Sequence, residues 1–126
     1  MQKILVIDDN PINLKLVCSL LEAEGYFVCP AVNAEEALTL LEKSSFAMIL
    51  TDIELPGMDG LAFTRAIKQN PKTQKTIVIA VTAFAMVGDE EKAVAGGCDG
   101  YIAKPIDTRK LPLYVARFLN EQGSRL

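Results

Sequence analysis

Three aspartates, a threonine and a lysine close four apolar runs in this chain of 126 residues. Ile4-Leu5-Val6-Ile7 leads into Asp8-Asp9, and Ala47-Met48-Ile49-Leu50-Thr51 leads into Asp52. Ile77-Val78-Ile79-Ala80-Val81 ends at Thr82, and Tyr101-Ile102-Ala103 ends at Lys104-Pro105. Brought together, the three carboxylates would repel one another, and a hard cation relieves that repulsion. A few carboxylates completed by water suit Mg2+ better than an all-protein calcium cage. The chain has no EF-hand loop, and with no histidine and scattered cysteines zinc is disfavoured. With a metal in place, one carboxylate oxygen stays free to attack phosphorus and give an acyl phosphate. The Lys104 ammonium, the Thr82 hydroxyl and backbone N–H groups after Asp52 would then meet the phosphoryl oxygens.

Taken singly, each residue has a plainer reading. A strand-end Asp is most often a helix cap, Thr82 a β-former at a strand end, Lys104 a solvated charge. Their joint occurrence on four runs, in this order, is what the plain readings do not explain.

The elements that must position them follow from periodicity. Strand-like runs alternate with helical segments, which predicts a βα-repeat and a parallel sheet, the kind that binds ligands at its carboxyl edge. Asn10 can cap a helix with Pro11 in its first turn, Leu14, Val17, Leu20 and Leu21 give its apolar face, and Gly25 ends it. Phe27-Val28-Cys29 is a short strand placed at a sheet edge by Pro30, and its tip carries no functional group. Asn33 and Glu36 resemble a capping box before Ala34, Ala37, Leu38 and Leu41. Asp59 would cap a third helix with Phe63, Ala66 and Ile67 facing inward. A fourth helix around Met86 to Ala95 has poor propensity and little to bury. A fifth carries Leu111, Tyr114, Val115, Phe118 and Leu119, with Pro112 demanding an irregular first turn or a start near Leu111. The tail from about Asn120 looks loose.

Bulk properties exclude several classes. The length fits a single domain over 1–126, with its core at about 3–120. A net charge of −3 without a basic block argues against direct nucleic-acid binding. No apolar run approaches a membrane span, and no signal-like segment opens the chain, so a cytoplasmic protein is expected. Cys18, Cys29 and Cys98 form no CxxC pair and read as small hydrophobes in a reducing compartment. With no histidine present, any phosphohistidine in this chemistry belongs to another protein. The closing Ser124-Arg125-Leu126 resembles a peroxisomal address but is read as coincidence or an expression scar.

Four stretches together resemble the receiver (CheY-like) domain of two-component response regulators, over about residues 3–120. They are Ile4 to Asn10, Leu50 to Gly60 with Asp52-Ile53-Glu54-Leu55-Pro56-Gly57, Ala80-Val81-Thr82-Ala83-Phe84, and Gly100 to Pro105. The likeness is greatest to stand-alone receivers and to receivers of hybrid sensor kinases. It implies an α/β, flavodoxin-like (βα)5 three-layer sandwich with a five-stranded parallel sheet in the order 2-1-3-4-5. It also implies that Asp52 is the phosphoacceptor, charged from a partner histidine kinase or histidine phosphotransfer protein. Asp9 and Asp52 would ligate Mg2+ with the backbone carbonyl of Glu54, and Asp8 would act through water. Lys104 would pair with the phosphoryl group, and Pro105 would follow a cis peptide bond. Thr82 and Tyr101 would act as a switch, reshaping the fourth helix, fifth strand and fifth helix for a downstream effector. The plainer reading of Tyr101 is a half-buried strand aromatic. Such a chain would be a monomer or weak homodimer and would catalyse only its own phosphorylation and dephosphorylation. With no output domain in the sequence, regulation would pass through another protein or through a missing parent chain. Phe84 would restrict water near the acyl phosphate.

Two other classes compete. A phosphatase of the haloacid dehalogenase type also uses Asp, Mg2+, Thr and Lys, but its nucleophile motif belongs on the first strand. A flavodoxin-like binding module would need a phosphate-binding loop, and no Gly-rich loop is present.

Overall fold

The computed structural model of the chain describes residues 2–53, 60–82 and 96–124. Five parallel strands, β1 (Lys3–Ile7), β2 (Phe27–Ala31), β3 (Met48–Asp52), β4 (Ile77–Thr82) and β5 (Gly100–Ala103), form one sheet in the order β2-β1-β3-β4-β5. The helices among the described residues are α1 (Pro11–Ala23), α2 (Ala34–Lys43), α3 (Gly60–Gln69) and the C-terminal α4 (Lys110–Ser124). This α4 is the fifth helix of the sequence expectation. The helix expected around Met86 to Ala95 lies outside the described residues, as do Asp59, Glu54 and Phe84.

Alternation along the strands divides the core into two layers. Leu5, Ile7, Ile49, Val78 and Ala80 pack with Ala34 and Ala37 of α2 and with Phe63 and Ile67 of α3. Ile4, Val6, Met48, Leu50, Ile77 and Ile79 pack with Leu14, Val17 and Leu21 of α1 and with Leu111, Val115 and Leu119 of α4. All five residues of β3 are buried, as expected for a central strand covered on both faces. The three cysteines are free, with Cys18 and Cys98 buried. Burial, aided by the charge of Glu22, pushes the Cys18 thiol up to about 11.

Most local signals act as their chemistry dictates. The Asn10 side chain accepts the N–H groups of Ile12 and Asn13, with Pro11 in the first turn of α1. Gly25 takes a φ of 93° just past the end of that helix, in the left-handed region open to glycine. Asn33 accepts the Glu36 N–H at the start of α2. Pro30 lies in edge strand β2, where its missing N–H leaves no gap inside the sheet.

One expectation needs correction. Ala66 is exposed, and Thr64 is buried in its place. The inward stripe of α3 is centred on Phe63, Thr64 and Ile67, and the Thr64 hydroxyl accepts a weak bond from the Cys98 thiol at 3.7 Å, which satisfies it inside the core. The C-terminal helix spans Lys110–Ser124. Glu121 and Gln122 are good helix formers and extend it.

The start of β5 is fixed by contacts that periodicity cannot show. Lys68 of α3 donates to Asp99 Oδ2 at 2.7 Å and to the Thr76 carbonyl at 2.8 Å. The same Asp99 oxygen accepts the Val78 N–H at 2.8 Å. At Gly100 an added Cβ would lie 2.7 Å from Phe118 Cζ and 2.8 Å from Ile79 Cδ1. Gly100→Ala is therefore expected to cost about 1–3 kcal/mol, the usual range for overpacking. A denaturant melt checks this: an unchanged midpoint would show that α4 yields without cost.

Candidate functional site

The carboxyl ends of β1, β3 and β5 meet at one edge of the sheet. Register brings them there: Ile7 pairs with Thr51 across β1 and β3, and Thr82 pairs with Ala103 across β4 and β5. Asp8 and Asp9 follow β1, Asp52 ends β3, and Lys104 follows β5. Thr82 closes β4 at the same edge.

Asp8 is 6 % exposed and Asp52 8 %, while Asp9 is exposed. One carboxylate oxygen from each of the three lies within 4.8 Å of the others. Lys104 reaches into this cluster, its Nζ 2.8 Å from Asp52 Oδ2 and 3.4 Å from Asp8 Oδ2. Among the described residues, three anions therefore face one cation.

Local structure holds each group in place. The other oxygen of Asp8 accepts the Asn10 N–H at 2.9 Å, so Asn10, which caps α1, also restrains Asp8. The chain after Asp52 is pinned by the Ile53 N–H donating to the Val81 carbonyl at 3.1 Å. Thr51, buried behind Asp52, donates its hydroxyl to the Asp52 carbonyl at 3.1 Å. The Lys104–Pro105 peptide is cis. Burial alone would lower the proton affinity of Lys104, but its hydrogen bond with Asp52 and the charges of Asp52 and Asp8 outweigh it. Its ammonium accordingly titrates above the ordinary lysine value.

The donor set fits a hard divalent cation. Among the described residues the cluster holds three carboxylates and one ammonium, a net charge of about −2, and hard oxygen ligands with room for water suit Mg2+. Asp52 would keep an oxygen for attack while Lys104 holds the other.

The structure thus brings together Asp8, Asp9, Asp52 and Lys104, with Thr82 on the adjoining strand end. Tyr101 lies three residues before Lys104, half-buried against the layer that holds Phe63 and Ile67. Glu54 falls outside the described residues. A cleft of about 460 Å³ opens beside Lys104, lined by Asn13, Leu16, Pro105 and Ile106. Ile12 and Leu16 stand 77 % and 43 % exposed on α1. The sequence gives one signal for them: both lie off the Leu14–Val17–Leu21 stripe of that helix. Tyr114, whose hydroxyl bonds the Tyr101 backbone, carries no sequence signal beyond its place on the apolar face of α4.

Known proteins resemble this chain in sequence and in fold. The chain is 39 % identical over 120 residues to the polar-differentiation response regulator DivK of Brucella anthropi, covering 95 % of this chain and 98 % of that one. Among solved structures, a CheY-like response regulator receiver domain protein of Methanospirillum hungatei superposes with a TM-score of 0.91 at 31 % identity, covering 100 % and 99 %. The receiver domain of the sensor histidine kinase PA1611 of Pseudomonas aeruginosa, with magnesium coordinated in its active-site cleft, does so with a TM-score of 0.86 at 32 % identity, covering 94 % and 98 %. Residues 4–116 match the response regulator receiver domain. With strand order, acidic edge and sequence in agreement over nearly the whole chain, the protein belongs to the family of response regulator receiver domains.

Proposed function

We propose that this chain is a single receiver domain in which Asp52 accepts a phosphoryl group from a phosphohistidine on a partner kinase or phosphotransfer protein. The supporting observation is the Asp52 carboxylate at the end of β3, hydrogen-bonded by Lys104 on one oxygen and flanked by Asp8 and Asp9. An Asp52 oxygen attacks phosphorus, the P–N bond to the donor imidazole breaks, and the electron pair leaves with that imidazole. The product is an aspartyl phosphate on this chain, which water later hydrolyses. Lys104 shifts its hydrogen bonds to the transferred phosphoryl oxygens, where negative charge builds as the bond forms. Asp9 and Asp52, with the Glu54 carbonyl, would hold Mg2+ directly and Asp8 through water. The ion, when bound, offsets the charge of carboxylates and phosphoryl group together.

Thr82 and Tyr101 form the switch in this reading, drawn toward the phosphoryl group and changing the surface that a downstream effector meets. The chain acts as a signalling component rather than an enzyme on external substrates. It works in the cytoplasm, as a monomer or weak homodimer. Among the described residues no helix is long and apolar enough to cross a membrane.

Intact mass after incubation with Mg2+ and acetyl phosphate tests the core of this reading. A gain of one phosphoryl group in wild type that disappears in Asp52→Asn and in EDTA supports it. No gain in folded, Mg2+-bound protein would make the chain a phosphorylation-independent interaction module. The exposed Leu16, which lines the cleft, and the exposed Ile12 on the same helix give an apolar footing for the protein donor. Leu16→Asp is therefore expected to slow transfer from a phosphorylated partner by about tenfold or more. Uptake from acetyl phosphate should stay unchanged, since that donor touches no helix. Equal slowing with both donors would show that the substitution damages the site itself.

A further inference from the structure

We infer that Tyr114 couples the C-terminal helix to Tyr101, gripping that residue's peptide groups so that α4 follows its position. Among the described residues β5 is the last strand of the sheet, with β4 on one side and no strand paired on the other. At Tyr101 both backbone groups are taken by one side chain: the Tyr114 hydroxyl accepts the Tyr101 N–H at 3.1 Å and donates to the Tyr101 carbonyl at 3.1 Å.

The two residues belong to opposite layers. Tyr114 packs with the α1 and α4 layer, while the Tyr101 side chain packs with the α2 and α3 layer. Tyr101 is thus held by its ring on one side of the sheet and by its backbone from the other. Gly100 permits this approach, because a Cβ there would lie 2.7 Å from the Tyr114 hydroxyl oxygen. Phe118, its ring centroid 4.8 Å from that of Tyr114, braces the phenol from the next turn of the helix. A single oxygen serving as acceptor and donor to one residue leaves little slack. A displaced Tyr101 backbone either carries α4 along or breaks both bonds.

This coupling rests on the proposed switching of Tyr101 when Asp52 is phosphorylated. Tyr114 touches none of the reacting atoms and is a positioning residue. The test is Tyr114→Phe, which removes the hydroxyl and keeps the ring, with its fold confirmed by the denaturation midpoint. Amide hydrogen exchange at Tyr101, and the amide chemical-shift changes over residues 110–120 on treatment with Mg2+ and acetyl phosphate, are compared with wild type. The variant should take up phosphoryl to the wild-type extent. Its Tyr101 amide should exchange about tenfold faster, the equivalent of one net hydrogen bond lost. Its shift changes over 110–120 should fall below half of those in wild type. Undiminished shifts in Tyr114→Phe would overturn the coupling, as would a phosphorylated wild type whose α4 shows none. A wild type that takes up no phosphoryl group would instead overturn the receiver chemistry beneath, and the coupling with it. A hydroxyl grip with no such chemistry would then show only as faster Tyr101 exchange in the variant.

Discussion

Lys104→Met is expected to slow phosphoryl uptake at Asp52 by about 10²–10³-fold, the usual loss when one preorganised donor to a developing oxyanion is removed. Methionine keeps most of the length and apolar stem that Lys104 packs beside Pro105 and Ile106, so the change isolates the ammonium. That ammonium lies 2.8 Å from Asp52 Oδ2, where it already faces the atoms that would carry charge in the transition state. Initial rates of mass gain from acetyl phosphate, at saturating Mg2+, make the comparison. A second effect accompanies the first. Asp8 and Asp52 are nearly buried, and Lys104 is the cation that the described residues bring against both. Removing one partner of a buried pair costs up to about 3–5 kcal/mol. The cost here is expected at or below the lower end, since Lys104 retains 17 % exposure. The loss should appear in EDTA and largely vanish with Mg2+. A rate near that of wild type would remove Lys104 from the chemistry and leave it a structural counter-charge.

Asp9→Asn should weaken Mg2+ binding by about 10–100-fold while stabilising the metal-free fold. The direction follows from the charges already on the page. Asp8, Asp52 and Lys104 sum to one negative charge, so Asp9 is repelled by the rest of the cluster when no ion is bound. Two unit charges near 5 Å apart in a nearly aqueous dielectric repel by about 1 kcal/mol. Asp9 is exposed, which makes that dielectric the right one. For a domain of this size that is about 3–6 °C in melting temperature. The sign inverts with metal if Asp9 is a ligand as proposed, because its loss would then remove an anionic oxygen from the cation. Calorimetric titration with Mg2+ and paired melts with and without EDTA read both halves. A variant less stable than wild type in EDTA would show that Asp9 supports the fold rather than straining it.

The site itself was legible in the sequence. Asp8, Asp9, Asp52 and Lys104 each have a plainer reading singly, but their joint placement at the ends of apolar strand runs marks a site. Strand order followed in part from Pro30, which confines β2 to an edge, and the caps at Asn10 and Asn33 followed from side chains that compete for helix N–H groups. What escaped depended on contacts distant in sequence. Thr64 reads as a surface residue until Cys98 is seen beside it, and its burial turns the face of α3 away from Ala66. The Lys68–Asp99 bridge spans 31 residues, and neither residue differs by type from an ordinary surface charge. Tyr114 lay on a correctly expected apolar face, but no periodicity shows that its hydroxyl reaches the edge of β5. Packing faces are written locally; polar contacts across elements are not.

The central claim, that Asp52 is the residue that carries the phosphoryl group, is tested most directly by locating the acyl phosphate. Borohydride reduction of the phosphorylated chain converts an aspartyl phosphate to homoserine, which peptide mass mapping then places. Homoserine at position 52 alone is the predicted result. Homoserine at Asp8 or Asp9 with Asp52 intact would contradict it, and would make Asp52 a metal ligand in a site whose nucleophile stands on β1.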